Sequence, residues 1–160
     1  MAVTRIDRDA QALTMTVHAE FDAPLERVWQ VWADPRQLER WWGPPTYPAT
    51  VADHDLAVGG AVRYFMTGPE GDVHWGWWRI REVEPPRRLA FEDGFGEDPA
   101  APAEGMPTMQ VAVTLAERDG GGTAMAIASR FASAEAMEQL LAMGMEEGIR
   151  AAVGQIDALL

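Results

Sequence analysis

The side chains that could carry out nucleophilic or metal-assisted chemistry are few and scattered in this sequence. Cysteine is absent, which excludes disulfides and thiolate chemistry, and the histidines stand far apart at His18, His54 and His74. Their spacing does not match a metal site. Because the motifs of a nucleophilic serine, a phosphate loop and a dinucleotide fold are also missing, the sequence predicts no catalytic residue, no metal and no cofactor.

Three positions remain as candidates for a polar anchor or an acid–base group. His74 lies beside Trp75 and near Arg79, and it is the best single candidate for a polar side chain that faces a cavity. Glu92 and Asp93 end a short predicted strand, where either carboxyl would serve as a general base if it were buried. A solvated strand end is the more common situation for such residues, and it is the favoured interpretation.

Hydrophobic periodicity predicts the elements that must position these groups. After a polar lead-in at residues 1–12, apolar residues alternate from Leu13 to Phe21, which is typical of a half-buried strand. Two short helices follow, with Asp22 and Asp34 as their predicted N-caps and a proline in each first turn. From Tyr47 to Phe131, alternating segments separated by glycine- and proline-rich turns predict about six further strands.

The last segment, Ser133–Leu160, has the period of one long amphipathic helix. Its apolar face also carries Gly144 and Gly148, each of which costs about 1 kcal/mol relative to alanine in a helix interior, and Gln155 lies on the same side. We therefore expect something other than ordinary side chains to lie against this helix. A curved antiparallel sheet that packs on the helix would bury both apolar surfaces, which predicts an α+β fold.

Composition limits the class of protein and its partners. A chain of 160 residues, 48% of them hydrophobic, favours one globular domain, residues 1–160. The sequence shows neither a transmembrane segment nor a signal peptide, so the cytoplasm is the expected location. The net charge of −12 argues against nucleic acid and anionic membranes as partners. Seven tryptophans indicate a crowded core or an aromatic-lined pocket.

Five short motifs in a fixed order resemble those of one protein family. They are Phe21–Pro44, Val58–Gly60, Val83–Phe91, Gly121–Thr123 and Met143–Leu160. Together they are similar to the START-like (SRPBCC) superfamily, and within it to the bacterial single-domain branch named after the C-terminal domain of the activator of the heat-shock protein 90 ATPase. The resemblance implies the helix-grip fold of START domains and the birch-pollen allergen, with six to seven strands curved around a long C-terminal helix and two short helices after the first strand.

The same resemblance implies a ligand cavity between the sheet and the C-terminal helix. Gly144 and Gly148 would leave room for a ligand or, with equal weight, let a bulky sheet residue such as Trp75 or Trp78 pack close. Gln155 would bond a ligand or, more commonly, a buried backbone group. The candidate cavity residues are Trp32, Trp41, Trp42, Phe65, His74, Trp75, Trp78, Phe91, Phe95, Met109, Met137, Leu141, Gly144, Met145, Gly148 and Gln155.

Two further features concern the surface. The segment Gly94–Pro107 is rich in glycine, proline and acid, which predicts a mobile lid. Trp77 and Trp78 are adjacent, so one of them must point away from the core unless a bulge intervenes. An outward Trp77 or Trp75 would mark a partner surface, such as a homodimer contact.

Three functions are compatible with these features. The leading one is a non-catalytic protein that binds a small hydrophobic or aromatic molecule. The alternative is a polyketide cyclase- or aromatase-like enzyme, which a buried ionisable group such as His74 or Glu92 would favour. A chaperone accessory or stress-related interaction protein ranks last, because the co-chaperone that gives the branch its name has a second domain for which this chain has no room.

Overall fold

The computed structural model describes residues 2–160, and Met1, the first residue of the predicted lead-in and of the predicted domain, lies outside them. The described chain begins with two strands and two short helices, continues with six strands, and ends with two helices and a 3₁₀ turn. The elements are β1 (Val3–Asp9), β2 (Thr14–Phe21), α1 (Leu25–Ala33), α2 (Pro35–Trp41), β3 (Ala49–His54), β4 (Ala61–Thr67), β5 (Val73–Glu84), β6 (Arg88–Phe95), β7 (Met109–Arg118), β8 (Gly122–Phe131), α3 (Ala134–Ala142), α4 (Met145–Val153) and the turn Ile156–Leu159.

Within residues 2–160 the strands form one eight-stranded antiparallel sheet in the order β1-β2-β8-β7-β6-β5-β4-β3. The predicted curved antiparallel sheet is confirmed, with a slightly higher strand count. The additional strand is β1, which lies in the segment predicted to be a loose lead-in. It pairs with β2, placing Val3 opposite Ala19. Most of β1 is polar and exposed, so its sequence lacks the apolar alternation that reveals a half-buried strand.

The two short helices are confirmed, but only one of their two predicted N-caps is found. Asp34 caps α2, because its side chain accepts a hydrogen bond from the backbone N–H of Arg36, and Pro35 occupies the first turn. The predicted cap at Asp22 is wrong. Pro24 takes the N-cap position of α1, and no side chain bonds that end of the helix in the described structure. The apolar sides of both helices are buried, at Val28 and Leu38 among others.

The predicted single C-terminal helix is wrong, because the structure divides it into α3 and α4. Gly144 separates them with a φ of 89°, a left-handed conformation that glycine adopts without steric cost. Its N–H donates to Leu141 O, which ends α3, and its own carbonyl accepts from Gly148 N at the start of α4. Apolar side chains of both helices pack against the core, so the hydrophobic period runs through the break. Among residues 2–160, none of the helices combines the length and the hydrophobicity that a membrane span requires.

Candidate ligand-binding site

A cavity of about 320 Å³ lies between the inner face of the sheet and the paired helices α3 and α4. Its sheet side is built from β2, β4, β6, β7 and β8, and the segment after α2 also contributes to the wall. The sheet and this segment contribute Met15, Val17, Trp42, Pro44, Tyr47, Tyr64, Met66, Asp93, Phe95, Met109, Val111, Ile127 and Ser129. The helices contribute Leu140, Met143, Gly144, Met145, Gly148 and Ile149. The wall is mainly apolar and rich in methionine.

The two helix glycines have different roles. A Cβ atom added at Gly148 would meet no other atom within 4 Å, although this residue lines the cavity. No sheet side chain therefore packs on its backbone, and the interpretation that Trp75 or Trp78 approaches it is wrong. Gly144 also lines the cavity, but its positive φ is what the turn between α3 and α4 requires. The missing side chain at Gly148 thus contributes directly to the space beside α4.

The polar end of the cavity is formed by Tyr64 and Asp93. The Tyr64 hydroxyl donates a long hydrogen bond of 3.4 Å to Oδ1 of Asp93. The Tyr64 ring lies over the backbone of Gly76, where any Cβ would overlap the phenol group. Strand pairing explains this arrangement, because Tyr64 is opposite Gly76 on β5, and the next inward position on that strand, Trp78, is opposite Asp93 on β6.

Burial changes the ionisation of this pair. It raises the pKa of the Asp93 carboxyl from 3.8 to about 7, while the hydrogen bond with Tyr64 acts in the opposite direction. Burial also raises the pKa of Tyr64 well above 10.0, and the nearby Asp93 charge adds to that effect. Near neutral pH a large fraction of Asp93 is therefore the neutral acid, which can donate a hydrogen bond as well as accept one.

Two indole groups approach the same hydroxyl. The N–H groups of Trp42 and Trp78 lower the pKa of Tyr64, against the effect of burial. Neither makes a hydrogen bond of normal geometry with any group in residues 2–160, and the same holds for the N–H of Trp32. An unsatisfied buried donor costs about 1–3 kcal/mol. These N–H groups would therefore be stabilised by an additional hydrogen-bond acceptor. Of the three indoles, Trp42 lines the cavity.

Behind the cavity wall lies a tightly packed aromatic cluster. The Trp32 and Trp41 rings meet edge to face with centroids 4.7 Å apart, and Trp78 stacks on Phe91 at 4.1 Å. Trp41 also donates its N–H to Val31 O at 2.8 Å. Four predicted cavity residues, Trp32, Trp41, Trp78 and Phe91, are therefore buried core residues outside the wall. They hold Trp42 and the Tyr64–Asp93 pair in place by packing.

Phe65 and Trp75, predicted as cavity residues, lie on the outer face of the sheet. Their rings are 4.9 Å apart, and the guanidinium of Arg63 lies over Trp75 at 5.1 Å. The reason is the period of two: Tyr64 and Gly76 face inward, so their chain neighbours Phe65 and Trp75 face outward. Trp75 is half-buried there.

His74, the predicted polar anchor, is outside the cavity wall. It lies at the start of β5, where its ring bonds Asp72 at 2.6 Å and its side chain is 61% exposed. This hydrogen bond lowers the pKa of the Asp72 carboxyl. Glu92 is also outside the cavity wall, because its side chain points outward and pairs with Arg81 at 3.1 Å. Asp93, whose favoured interpretation was a solvated strand end, is instead the acid that lines the cavity.

Gln155, Met137 and Leu141 also lie outside the wall. The Gln155 amide donates to the backbone carbonyls of Gly43 at 2.7 Å and Trp41 at 3.3 Å, so the more common role, a bond to backbone, is confirmed. Met137 is buried in the core and Leu141 packs against it. From α3, it is Leu140 that reaches the cavity.

The tryptophan pair and the predicted lid are linked on the outer face. Trp77 points outward, as the alternation requires, yet it is buried: its ring lies over Gly94, and its N–H donates to Phe95 O at 3.1 Å. Arg79 donates to Pro99 O and so fastens the following loop to this face. Of Gly94–Pro107, Phe95 is the residue that lines the cavity in the described chain, and the mobility of the segment stays a prediction.

Six predicted residues do meet at the cavity: Trp42, Phe95, Met109, Gly144, Met145 and Gly148. Tyr64 and Asp93 lie there with them. A signal for Asp93 was present in the sequence, because Phe91, Asp93 and Phe95 alternate on one face of a strand. An acid between two inward aromatic residues is itself directed inward.

The comparisons with known proteins agree with this architecture. Residues 22–160 match the sequence profile of the family described as activator of Hsp90 ATPase homolog 1-like protein. The chain belongs to this family. The fold is accordingly the helix-grip fold of the START-like superfamily, as the resemblance implied.

Similar solved structures come from bacteria. Protein Ms6760 from Mycobacterium smegmatis is 49% identical, with a TM-score of 0.90 over 99% of this chain and 96% of its own. A protein from Arthrobacter aurescens is 48% identical, with a TM-score of 0.91 over 97% and 90%. DynU16, a protein in the dynemicin biosynthetic locus, is 22% identical, with a TM-score of 0.62 over 91% of this chain and 46% of its own, a likeness of fold alone. The comparison with curated proteins gave no match.

Proposed function

We propose that this family member binds a small apolar or aromatic molecule between the sheet and helices α3 and α4. The observation that carries the proposal is the cavity of about 320 Å³ with its mainly apolar wall. Pockets for small molecules begin at about this size and combine apolar walls with a few polar groups. Burial of a ligand's apolar surface would supply most of the binding free energy.

The wall is suited to adapt to a ligand. Methionine contributes five of its side chains, Met15, Met66, Met109, Met143 and Met145. The thioether chain is unbranched and polarisable, so it changes shape at little cost and makes favourable contacts with aromatic rings. This composition favours a flat aromatic ligand, and Trp42 and Phe95 offer further ring contacts.

A variant that fills the cavity tests the proposal. In Gly148→Leu the new side chain enters open space and reduces the volume of the cavity. The control, Ala151→Leu, adds the same side chain at an exposed position of the same helix. Binding of naphthalene-type probes, followed by intrinsic tryptophan fluorescence, is expected to be saturable in the parent protein and in Ala151→Leu, and lost in Gly148→Leu. Equal binding by all three proteins would contradict the proposal.

An acid–base enzyme is the second candidate, and Asp93 is the observation that favours it. A buried carboxyl whose pKa is raised to about 7 can exchange a proton with a bound substrate near neutral pH. Its position is consistent with the polyketide cyclase-like alternative. The test is turnover of a polyketide-type substrate by the parent protein and by Asp93→Asn. Turnover that is unchanged in the variant would exclude Asp93 from that role.

A further inference from the structure

We propose that the Tyr64–Asp93 end of the cavity recognises a carbonyl oxygen, so that the ligand is an uncharged aromatic or apolar ketone or aldehyde. This inference rests on the proposed function, because it assigns a chemical class to the ligand of the same cavity. It is carried by the position of two hydrogen-bonding side chains, and of an indole N–H beside them, at one end of an otherwise mainly apolar wall.

The first step is the fixed position of the Tyr64 hydroxyl. Its ring lies over the backbone of Gly76, and its neighbours include the rings of Trp42 and Trp78, with centroids 6.0 and 6.3 Å away. Tyr64 is almost fully buried, so little of its hydroxyl can be solvated from outside. The hydroxyl therefore offers a directed hydrogen bond whose partner is Asp93 or a bound molecule.

The second step is the balance of donors and acceptors around that hydroxyl. The indole N–H groups of Trp42 and Trp78 approach it, and each is a donor without a hydrogen-bond partner in residues 2–160. A hydroxyl oxygen can accept from such donors while its own proton points elsewhere. A neutral Asp93 adds a further O–H, so this end of the cavity has several donors for one incoming acceptor.

The third step compares ligand charges. An anionic carboxylate would lose its hydration in a site whose described lining residues include no cationic side chain, and burial of such an unpaired charge is costly. A cationic amine would attract an ionised Asp93, but it would have no acceptor to offer the Tyr64 hydroxyl and the Trp42 N–H. A carbonyl oxygen accepts two hydrogen bonds without carrying a charge, and it matches the donors present.

Four naphthalene probes of similar size separate these cases. They are 2-acetylnaphthalene, 2-ethylnaphthalene, 2-naphthoate and 2-naphthylmethylamine, titrated at pH 6 by isothermal calorimetry. We expect the ketone to bind about tenfold or more tightly than the hydrocarbon, which is the size of effect that one or two buried hydrogen bonds give. We expect both charged probes to bind more weakly than the ketone.

Variants assign the preference to the two side chains. Tyr64→Phe keeps the ring over Gly76 and removes the hydroxyl, so it should weaken ketone binding about tenfold and leave binding of the hydrocarbon within about twofold. Asp93→Asn retains a donor and should retain most of the ketone preference, whereas Asp93→Leu should lose it. Glu92→Gln changes the neighbouring acid, which lies on the outer face of the sheet, so it is the matched control and should leave the preference unchanged.

The outcomes separate this inference from the proposed function. Equal binding of ketone and hydrocarbon, both lost in Gly148→Leu, would overturn the carbonyl site and leave an apolar binding cavity. Tightest binding of the amine or of the carboxylate would also overturn it. Binding of none of the four probes to the parent protein, or binding that Gly148→Leu leaves unchanged for all of them, would count against both proposals.

Discussion

The Tyr64 hydroxyl lies 3.4 Å from Oδ1 of Asp93, at the polar end of a cavity whose wall is mainly apolar. The contact joins β4 to β6 across β5, and it is sterically allowed because β5 carries glycine at position 76, beneath the Tyr64 ring. The cavity thus combines apolar surface for binding with one cluster of groups that can fix the orientation of a ligand.

The pH dependence of stability should reveal Asp93. Its pKa is about 7 in the folded protein against 3.8 in the unfolded chain, so between these values the folded state holds a proton that the unfolded state has lost. The stabilisation from the neutral acid is therefore present at low pH and is lost as the pH rises through 7. Tyr64, with a raised pKa, and Tyr47 are the other titratable side chains on the wall in the described chain.

Urea unfolding of the parent protein and of Asp93→Asn at pH 5 and pH 8 measures this effect. The free energy of unfolding of the parent, relative to the variant, should fall by on the order of 2 kcal/mol between these pH values. Hydrogen bonds from the Gln37 side chain and the Arg36 backbone lower the pKa of Asp34, so this residue affects the free energy of unfolding in a different pH range. Its contribution is lost only as the pH falls below 3.8. Parallel pH profiles for the two proteins would contradict the assignment to Asp93.

Alanine substitutions of the two helix glycines should have opposite effects on stability. Gly148→Ala meets no atom within 4 Å and lies inside α4, so it should raise the free energy of unfolding by about 0.5–1 kcal/mol. Gly144→Ala must adopt a φ near 89°, so it should lower the free energy by about 1–2 kcal/mol. Chemical denaturation measures both, and changes of the same sign would show that the α3–α4 break differs from the one described.

Alanine at Gly76 should disturb the site specifically. Its Cβ would overlap the Tyr64 phenol, so the ring must move, with a loss of about 1–3 kcal/mol in stability and of the ketone preference. Gly94→Ala is the matched control, because its Cβ would overlap Trp77 on the outer face of the sheet. We expect a comparable loss of stability in that variant with ligand preference intact. Loss of the preference in both variants would indicate a general effect of misfolding.

Much of the fold was predictable because its signals are local. The alternation from Leu13 to Phe21 predicts β2 and its buried face, and the Asp34-Pro35 pair marks the start of α2. The break at Gly144 was not predicted, since the apolar period continues on both sides of it. A glycine that leaves space and a glycine that turns the chain look alike in a sequence, and only the φ of 89° distinguishes them.

The site was only partly predictable, because its composition depends on register between strands. Period two correctly separates Tyr64 from Phe65, but deciding which of them faces inward requires knowledge of what packs on each side. His74 was favoured because it lies beside Trp75 and near Arg79, yet its position at a strand end leaves its side chain 61% exposed. The burial of Asp93 arises from residues distant in the chain, Tyr64 among them, and this tertiary context sets its pKa.

The most direct test of the binding cavity uses its methionine methyl groups as reporters. In a methyl NMR titration with 2-acetylnaphthalene, the signals of the five wall methionines should shift and saturate together. These are Met15, Met66, Met109, Met143 and Met145. Met106, Met125 and Met137, which are not part of the wall, should be largely unaffected. Saturable shifts confined to the first group would confirm ligand binding between the sheet and helices α3 and α4, and shifts confined to the second group, or none at all, would contradict it.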